Sequence, residues 1–190
     1  MCRRAILAVC CGAVLLSCGQ RPVTKQEAPK PSTALPVITG FTLRSPAFAD
    51  NGPIPVRYTG RGENISPALS WYNPPPATQG FVLILDDPDA PGGAFTHWVI
   101  YNLPKDANAL PEAVGRAEML PSGGRQARNS FGKIGYDGPM PPPGKVHHYV
   151  FTLYALDNVL DAAAPTKNAV MSVLANHTLA KTVLTGTYQQ

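Results

Sequence analysis

Phe81-Val82-Leu83-Ile84-Leu85-Asp86-Asp87-Pro88-Asp89-Ala90-Pro91 decides how the rest of this 190-residue chain is read. Its first five residues form a continuous apolar run, β-branched and aromatic in character, of the length of a buried strand. Three carboxylates then arrive at the strand's exit, interrupted by two prolines. Proline fixes φ and lacks a backbone N–H, so the chain must leave the ladder here along a stiff turn. Gly92-Gly93 follows, and a second strand is predicted to open on His97 and run to Tyr101. Carboxylates at one strand's end thus lie near an imidazole at the start of the next, and a rigid scaffold presents both at a rim.

The same device recurs downstream. Tyr136-Asp137-Gly138-Pro139-Met140-Pro141-Pro142-Pro143-Gly144 is stiff turn material. It delivers His147-His148-Tyr149 to the head of another apolar strand, Val150 to Leu156. Elsewhere Val37 to Leu43 and Thr178 to Tyr188 read as strands, and Ala68 to Trp71 follows the turn material Asn64 to Pro67 before Pro74-Pro75-Pro76 break the chain. Ile54-Pro55-Val56-Arg57-Tyr58 reads as a short strand, which Pro55 assigns to an edge. A helix is expected from Pro165 or Thr166 to Ala175, with apolar spacing at Val170, Val173 and Leu174. Residues 105–135 show no sustained period, and so long an irregular excursion usually carries function. Many strands with one late helix indicate a mainly β, antiparallel architecture.

The two proline turns resemble the signatures of the phosphatidylethanolamine-binding protein family, in its bacterial branch of Raf-kinase-inhibitor-like proteins. Asp87-Pro88-Asp89-Ala90-Pro91 with His97-Trp98 is similar to the first motif, and Gly138-Pro139-Met140-Pro141-Pro142 with His147-His148-Tyr149 to the second. His148 stands where the family usually has arginine. Arg128-Asn129-Ser130-Phe131-Gly132 and Gly186-Thr187-Tyr188 are also similar to bacterial members. The resemblance spans roughly residues 37 to 188 and implies an antiparallel β-sandwich with a few peripheral helices. It further implies an anion site made of Asp87, His97, His147 and Tyr149, with Gly138 and Pro139 on its wall, for a phosphate-like anion or phospholipid head group. It implies no cofactor or metal, and leaves room for a protein partner at the rim.

The residue chemistry is consistent with such a site. Imidazolium and phenol donate to phosphate oxygens, and Asp87 can hold one imidazole by its other nitrogen and favour its charged form. An alternative use of the same Asp/His cluster is metal-dependent or Ser/His hydrolysis. Ser122 and Ser130 are the serines near glycine, but neither sits in a nucleophile-elbow context. Asp89 is left between capping its loop and meeting a ligand's ammonium. Strict alternation puts Trp98 on the opposite face from His97 and turns His148 away from His147. Tyr101, Tyr136 and Tyr154 read as packing residues. His177, with no acidic neighbour in sequence, reads as structural.

The N-terminus carries a separate message. Met1-Cys2-Arg3-Arg4 precedes a twelve-residue apolar run, Ala5 to Leu16, too short to span a bilayer but suited to a signal peptide. Leu15-Leu16-Ser17-Cys18 looks like a bacterial lipobox, which makes residues 1–17 a lipoprotein signal, Cys18 the lipidation site and 18–36 a disordered tether to a domain over 37–190. The expected location is the bacterial cell envelope. Gly19 after the cysteine favours the outer membrane, facing the periplasm, if the cell is Gram-negative. All four cysteines, Cys2, Cys10, Cys11 and Cys18, precede the domain, so it has neither a disulfide framework nor a thiolate site. Loss of Arg3 and Arg4 with the leader leaves 14 basic against 12 acidic residues, lowering the formal charge from +4 to +2. That balance gives no case for nucleic acid.

Overall fold

The computed structural model describes residues 40–160 and 166–190. The leader, Cys18, the tether, the first residues of the predicted strand at Val37 and the helix start at Pro165 lie outside them. Two sheets face one another. The smaller has the order β1 (Thr42–Arg44), β3 (Leu69–Tyr72), β6 (Ala109–Leu110). The larger has six strands: β2 (Gly52–Pro53), β9 (Thr178–Tyr188), β8 (His147–Leu156), β4 (Gly80–Asp87), β5 (Phe95–Pro104) and β7 (Arg125–Gln126), in that order. The fold is mainly β, with one α-helix among the described residues, α1 (Lys167–His177), where a few had been expected. All pairings between strands are antiparallel except β2 with β9, which runs parallel through Gly52 and Gly186.

The apolar run of β4 is continuous because the strand lies between β5 and β8 and is covered on both faces. Its side chains alternate between two cores. Phe81, Leu83 and Leu85 enter the core between the sheets, with Leu43, Trp71, Leu110 and Phe151. Val82 and Ile84 enter a second core with Val99, Tyr101 and Leu156, capped by Val170 and Leu174 of α1. Each fully buried large side chain contributes on the order of 1.5–3 kcal/mol of apolar transfer. Thr166 caps the helix, its side chain accepting from the Ala169 N–H.

The predicted strand Ile54–Tyr58 is a correction. After the Ile54 N–H donates to the Thr187 carbonyl (2.8 Å), the chain enters a 3-10 turn over Val56–Tyr58. Pro55, at φ −58°, has no donor for a ladder and the right angle for a tight turn, so local geometry wins over the alternating pattern. The excursion over 105–135 contains β6, β7 and isolated bridges from Met119 to Arg125 and from Arg128 to Ile134. It folds back beside β5 and brings Arg116, Asn129 and Phe131 to the end of the sheet where β4 stops.

Candidate functional site

At that end the proline turns converge on a cavity of about 270 Å³. Its polar floor is Asp87, His97, His147 and Tyr149, all buried. Its apolar wall includes Phe95, Phe131, Met140, Pro141 and Pro142. A larger depression of about 480 Å³ beside β1 and β9 gathers no buried titratable group. Gly138 and Pro139, expected on the wall, are not among the lining residues. They stand behind it: the Gly138 N–H donates to Asn64 Oδ1 (2.7 Å), and the Pro139 carbonyl accepts from the Gly60 N–H (2.9 Å). This anchorage pushes the next three residues forward to form the lip.

Asp87 leaves β4 on the face of Leu85, while Asp86 faces the other way to meet Lys167 Nζ (2.6 Å) and the Thr96 hydroxyl (2.7 Å). Asp87 Oδ2 accepts from His147 Nδ1 (2.8 Å), and Oδ1 accepts from the Asp89 N–H (2.9 Å). His147, Tyr149 and Phe151 share one face of β8, as period-two alternation requires. His148 turns away, its N–H and Nδ1 both meeting Asp89 Oδ2 at 2.8 and 2.7 Å. Those bonds draw Asp89 below the usual carboxylate range, and Asp89 serves as a clasp between the two turns.

His97 reaches the floor by a route that strict alternation misses. The β4–β5 register pairs Leu85 with Trp98 and then Asp86 with Thr96, leaving His97 as the extra residue of a β-bulge. Trp98 lies in the core between the sheets, with Tyr136 at 5.5 Å. His97, expected on the opposite face, packs at 5.3 Å against Tyr149 of that same core. Its Nδ1–H donates to the Asp137 carbonyl (2.7 Å), and its own carbonyl accepts from the Asp137 N–H (3.1 Å).

Asp137 had been read only as part of a turn. Its buried carboxylate accepts from Arg116 (3.0 and 3.3 Å), Asn129 (2.8 Å) and Asn64 (3.2 Å). Burial works to raise its pKa, but these donors outweigh burial and hold it below the ordinary value. The carboxylate thus locks the backbone that orients His97. A buried turn carboxylate needs cationic or amide donors, and Arg116 and Asn129 were the available signal for it.

With Nδ1 donating to an acceptor, each site imidazole in its neutral form presents a bare Nε2, for which no partner occurs among the described residues. The buried Tyr149 hydroxyl also lacks a well-formed hydrogen bond among them. Its pKa is raised by burial and then by nearby Asp87, so it stays a donor. No lysine or arginine lines the cavity among the described residues, although Lys133 stands 5.8 Å over the Phe131 ring. Positive charge for an anion must therefore come from the imidazoles. Among the described residues no group of three His, Cys, Asp or Glu side chains is placed to hold a metal. The histidine expected to lack an acidic neighbour, His177, meets Asp157 at 2.9 Å, across 20 residues of sequence.

Burial lowers the His97 pKa despite the Asp137 carbonyl and the charges of Asp87, Asp137 and Asp86. The neutral form of His97 is therefore favoured in the free protein, and the imidazole that Asp87 holds is that of His147. Below the unfolded value of about 6.5 the unfolded chain binds a proton that the fold resists. Stability should then fall with pH through this window, with a slope up to about 1.4 kcal/mol per pH unit from this residue. Urea unfolding at pH 7.5 and 5.5 should show a larger loss for wild type than for His97→Asn. Asp89 and Asp137, both held low, lose their contributions only at more acidic pH.

A mainly β, two-sheet domain with a histidine–aspartate cavity at one sheet end is the class this geometry defines. The sequence model of the phosphatidylethanolamine-binding protein matches residues 44–189, and the chain belongs to that family. A protein of Methanothermobacter thermautotrophicus is 48% identical over 151 residues, covering 79% of this chain and 99% of the relative. A Mycobacterium tuberculosis protein named "Putative lipoprotein LppC" is 38% identical over 135 residues, covering 70% of this chain and 64% of the relative. The crystal structure of YbcL from E. coli, described as a member of the mammalian PEBP family, aligns at TM-score 0.74 and 32% identity, covering 79% of this chain and 98% of that one.

Proposed function

We propose that this chain is an envelope lipoprotein whose cavity binds a phosphate-like anion or phospholipid head group. The observation that carries the reading is the pair of imidazoles with Nδ1 committed and Nε2 facing the cavity on one floor beside the buried Tyr149 hydroxyl. Protonated rings and phenol would together give three donors to one anion, each charge-assisted bond worth about 1.5–3 kcal/mol. Family membership supports the same reading. Hydrolysis fits less well: Ser130 Oγ is engaged by the Thr96 N–H (2.9 Å), and neither Ser130 nor Ser122 is among the lining residues. Calorimetric titration of the full chain with inorganic phosphate at pH 6.5 tests the site, and an absence of heat at millimolar phosphate overturns it.

The lipobox at Leu15-Leu16-Ser17-Cys18 supports the anchor, as does the name of the mycobacterial relative. Several acyl chains on Cys18 would hold the domain far more firmly than one. Wild type should take up an alkyne fatty acid in growing cells and sediment with membranes. Cys18→Ala should lose the label, and equal labelling of both proteins would refute the anchor.

A further inference from the structure

Asp86 and Asp87 follow one another at the end of β4 on opposite faces, and of the two only Asp87 lines the cavity. On the other face the partly exposed Asp86 accepts at Oδ2 from Lys167 Nζ of α1 (2.6 Å) and at Oδ1 from the Thr96 hydroxyl (2.7 Å). Asp86 and Thr96 are direct partners across β4 and β5, and the pair before them is Leu85 with Trp98. The extra residue of the bulge, His97, lies between those two pairs.

Backbone bonds do not tie this point of β5 to β4. Thr96 turns both of its backbone groups outward: its N–H donates to Ser130 Oγ (2.9 Å), and its carbonyl accepts from the Ser130 N–H (2.8 Å). The His97 carbonyl likewise accepts from the Asp137 N–H (3.1 Å). Groups aimed away from β4 make Asp86 and Thr96 a non-hydrogen-bonded pair, the kind in which facing side chains lie closest. Their link is therefore the hydroxyl-to-carboxylate bond, a charge-assisted one, and Lys167 fixes the carboxylate that accepts it.

The competing arrangement is the regular ladder. Trp98 keeps Leu85 there, while His97 moves opposite Asp86 and Thr96 opposite Asp87. Because the side-chain period is two, this shift sends His97 to the Asp86 face, beside Lys167, and brings Thr96 to the cavity. Phe95, now opposite Asp87 and on the cavity wall, leaves it. In that register the Thr96 hydroxyl is on the wrong face to meet Asp86.

We propose that Asp86 is a positioning residue of the cavity: by binding Thr96 across the strand pair it selects the bulged β4–β5 register over the regular one, and so keeps His97 and Phe95 on the cavity side. Asp87 holds His147 directly, Asp137 orients the His97 ring, and Asp86 decides which face that ring occupies. The consequence for anion binding rests on the reading above, whereas the register does not.

Nuclear magnetic resonance of the full chain reads the register through the Overhauser contact between the His97 and Tyr149 rings, whose centroids are 5.3 Å apart. Thr96→Val removes the hydroxyl and keeps the branched shape, and Asp86→Ala removes the acceptor. Each should lose that contact and gain one between His97 and the Lys167 side chain. Thr96→Val should also weaken inorganic phosphate by roughly tenfold in calorimetry, as one imidazole donor is gone. Thr96→Ser, which keeps the hydroxyl, should retain both the ring contact and the wild-type affinity. Near-ultraviolet circular dichroism establishes that each variant is folded. If the buried Thr96 does not tolerate valine, Asp86→Ala, on the partly exposed side, decides the matter alone. A ring contact of wild-type strength in either folded variant overturns the proposal, and a lowered Tm there would make Asp86 a stabilising residue only. Loss of the contact in Thr96→Ser overturns it too, since the hydroxyl would not be what holds the register. Wild type that shows the ring contact but binds no phosphate refutes the anion reading, and the ring contacts of the variants still decide the register.

Discussion

His147→Ala should weaken inorganic phosphate binding by roughly ten- to a hundredfold, with the fold intact. The lost group is an imidazole whose Nδ1–H is fixed by Asp87 at 2.8 Å and whose Nε2 serves the cavity. One charge-assisted hydrogen bond is worth about 1.5–3 kcal/mol, which sets that range. Asp87 adds to the loss: without His147 its Oδ2 has no donor of this kind, and its charge faces the incoming anion. The effect should depend on pH with a definite sign. Burial favours neutral His97 in the free protein, while a bound anion favours the imidazolium, so binding takes up protons. Wild-type affinity should therefore rise as pH falls from 8 towards 6, and the rise should be shallower in His97→Asn. Calorimetry with phosphate at both pH values decides it. Unchanged affinity in His147→Ala would remove this cavity from consideration as the anion site.

Gly138→Ala should be the most damaging small substitution in the second proline turn. A Cβ on Gly138 would lie 2.2 Å from the Tyr58 carbonyl oxygen, 2.8 Å from Thr59 Cα and 3.0 Å from the Tyr58 carbonyl carbon. All three are backbone atoms, and no rotamer change relieves the clash. Movement is opposed on each side: the Gly138 N–H holds Asn64, the Pro139 carbonyl holds the Gly60 N–H, and the Tyr136 hydroxyl holds the Tyr58 carbonyl at 2.6 Å. Overpacking against fixed backbone costs about 3 kcal/mol or more. That corresponds to a fall in Tm of roughly 6–12 °C for a domain of this size. Gly115→Ala, where a Cβ meets nothing within 4 Å, is the matched control and should change Tm by little. Thermal unfolding followed by near-ultraviolet circular dichroism measures both, and equal Tm values would show that the turn yields where the packing says it is rigid. Gly138 matters to the cavity for the same reason, because it sets the position of the lip from behind.

Much of the molecule was legible in its residues because it depends on local pattern. Residues Phe81 to Leu85 are apolar on both faces since β4 is central and divides them between two cores, and an uninterrupted run signals that placement. The prolines after Asp87 and before His147 end one strand and introduce another, since a residue without an N–H cannot continue a ladder. Alternation along β8 puts His147 with Tyr149 on the cavity floor and turns His148 away to Asp89, as the structure shows. The helix and the last strand also lie close to their predicted spans, because apolar spacing changes there from helical to alternating.

What tertiary structure alone decided are the features that depend on partners distant in sequence. His97 reaches the Asp87 face only because a bulge breaks the β4–β5 register, and a register shift leaves no mark in residue type. Asp137 became a positioning residue when Arg116 and Asn129 of the irregular excursion closed on its carboxylate. Phe131 joined the wall by that same fold-back. Gly138 and Pro139 moved behind the wall because backbone contacts with Tyr58, Thr59 and Gly60 occupy their space. The charge state of His97 turned on desolvation, a property of the packed interior, and burial there outweighs the carboxylates whose presence the sequence did reveal.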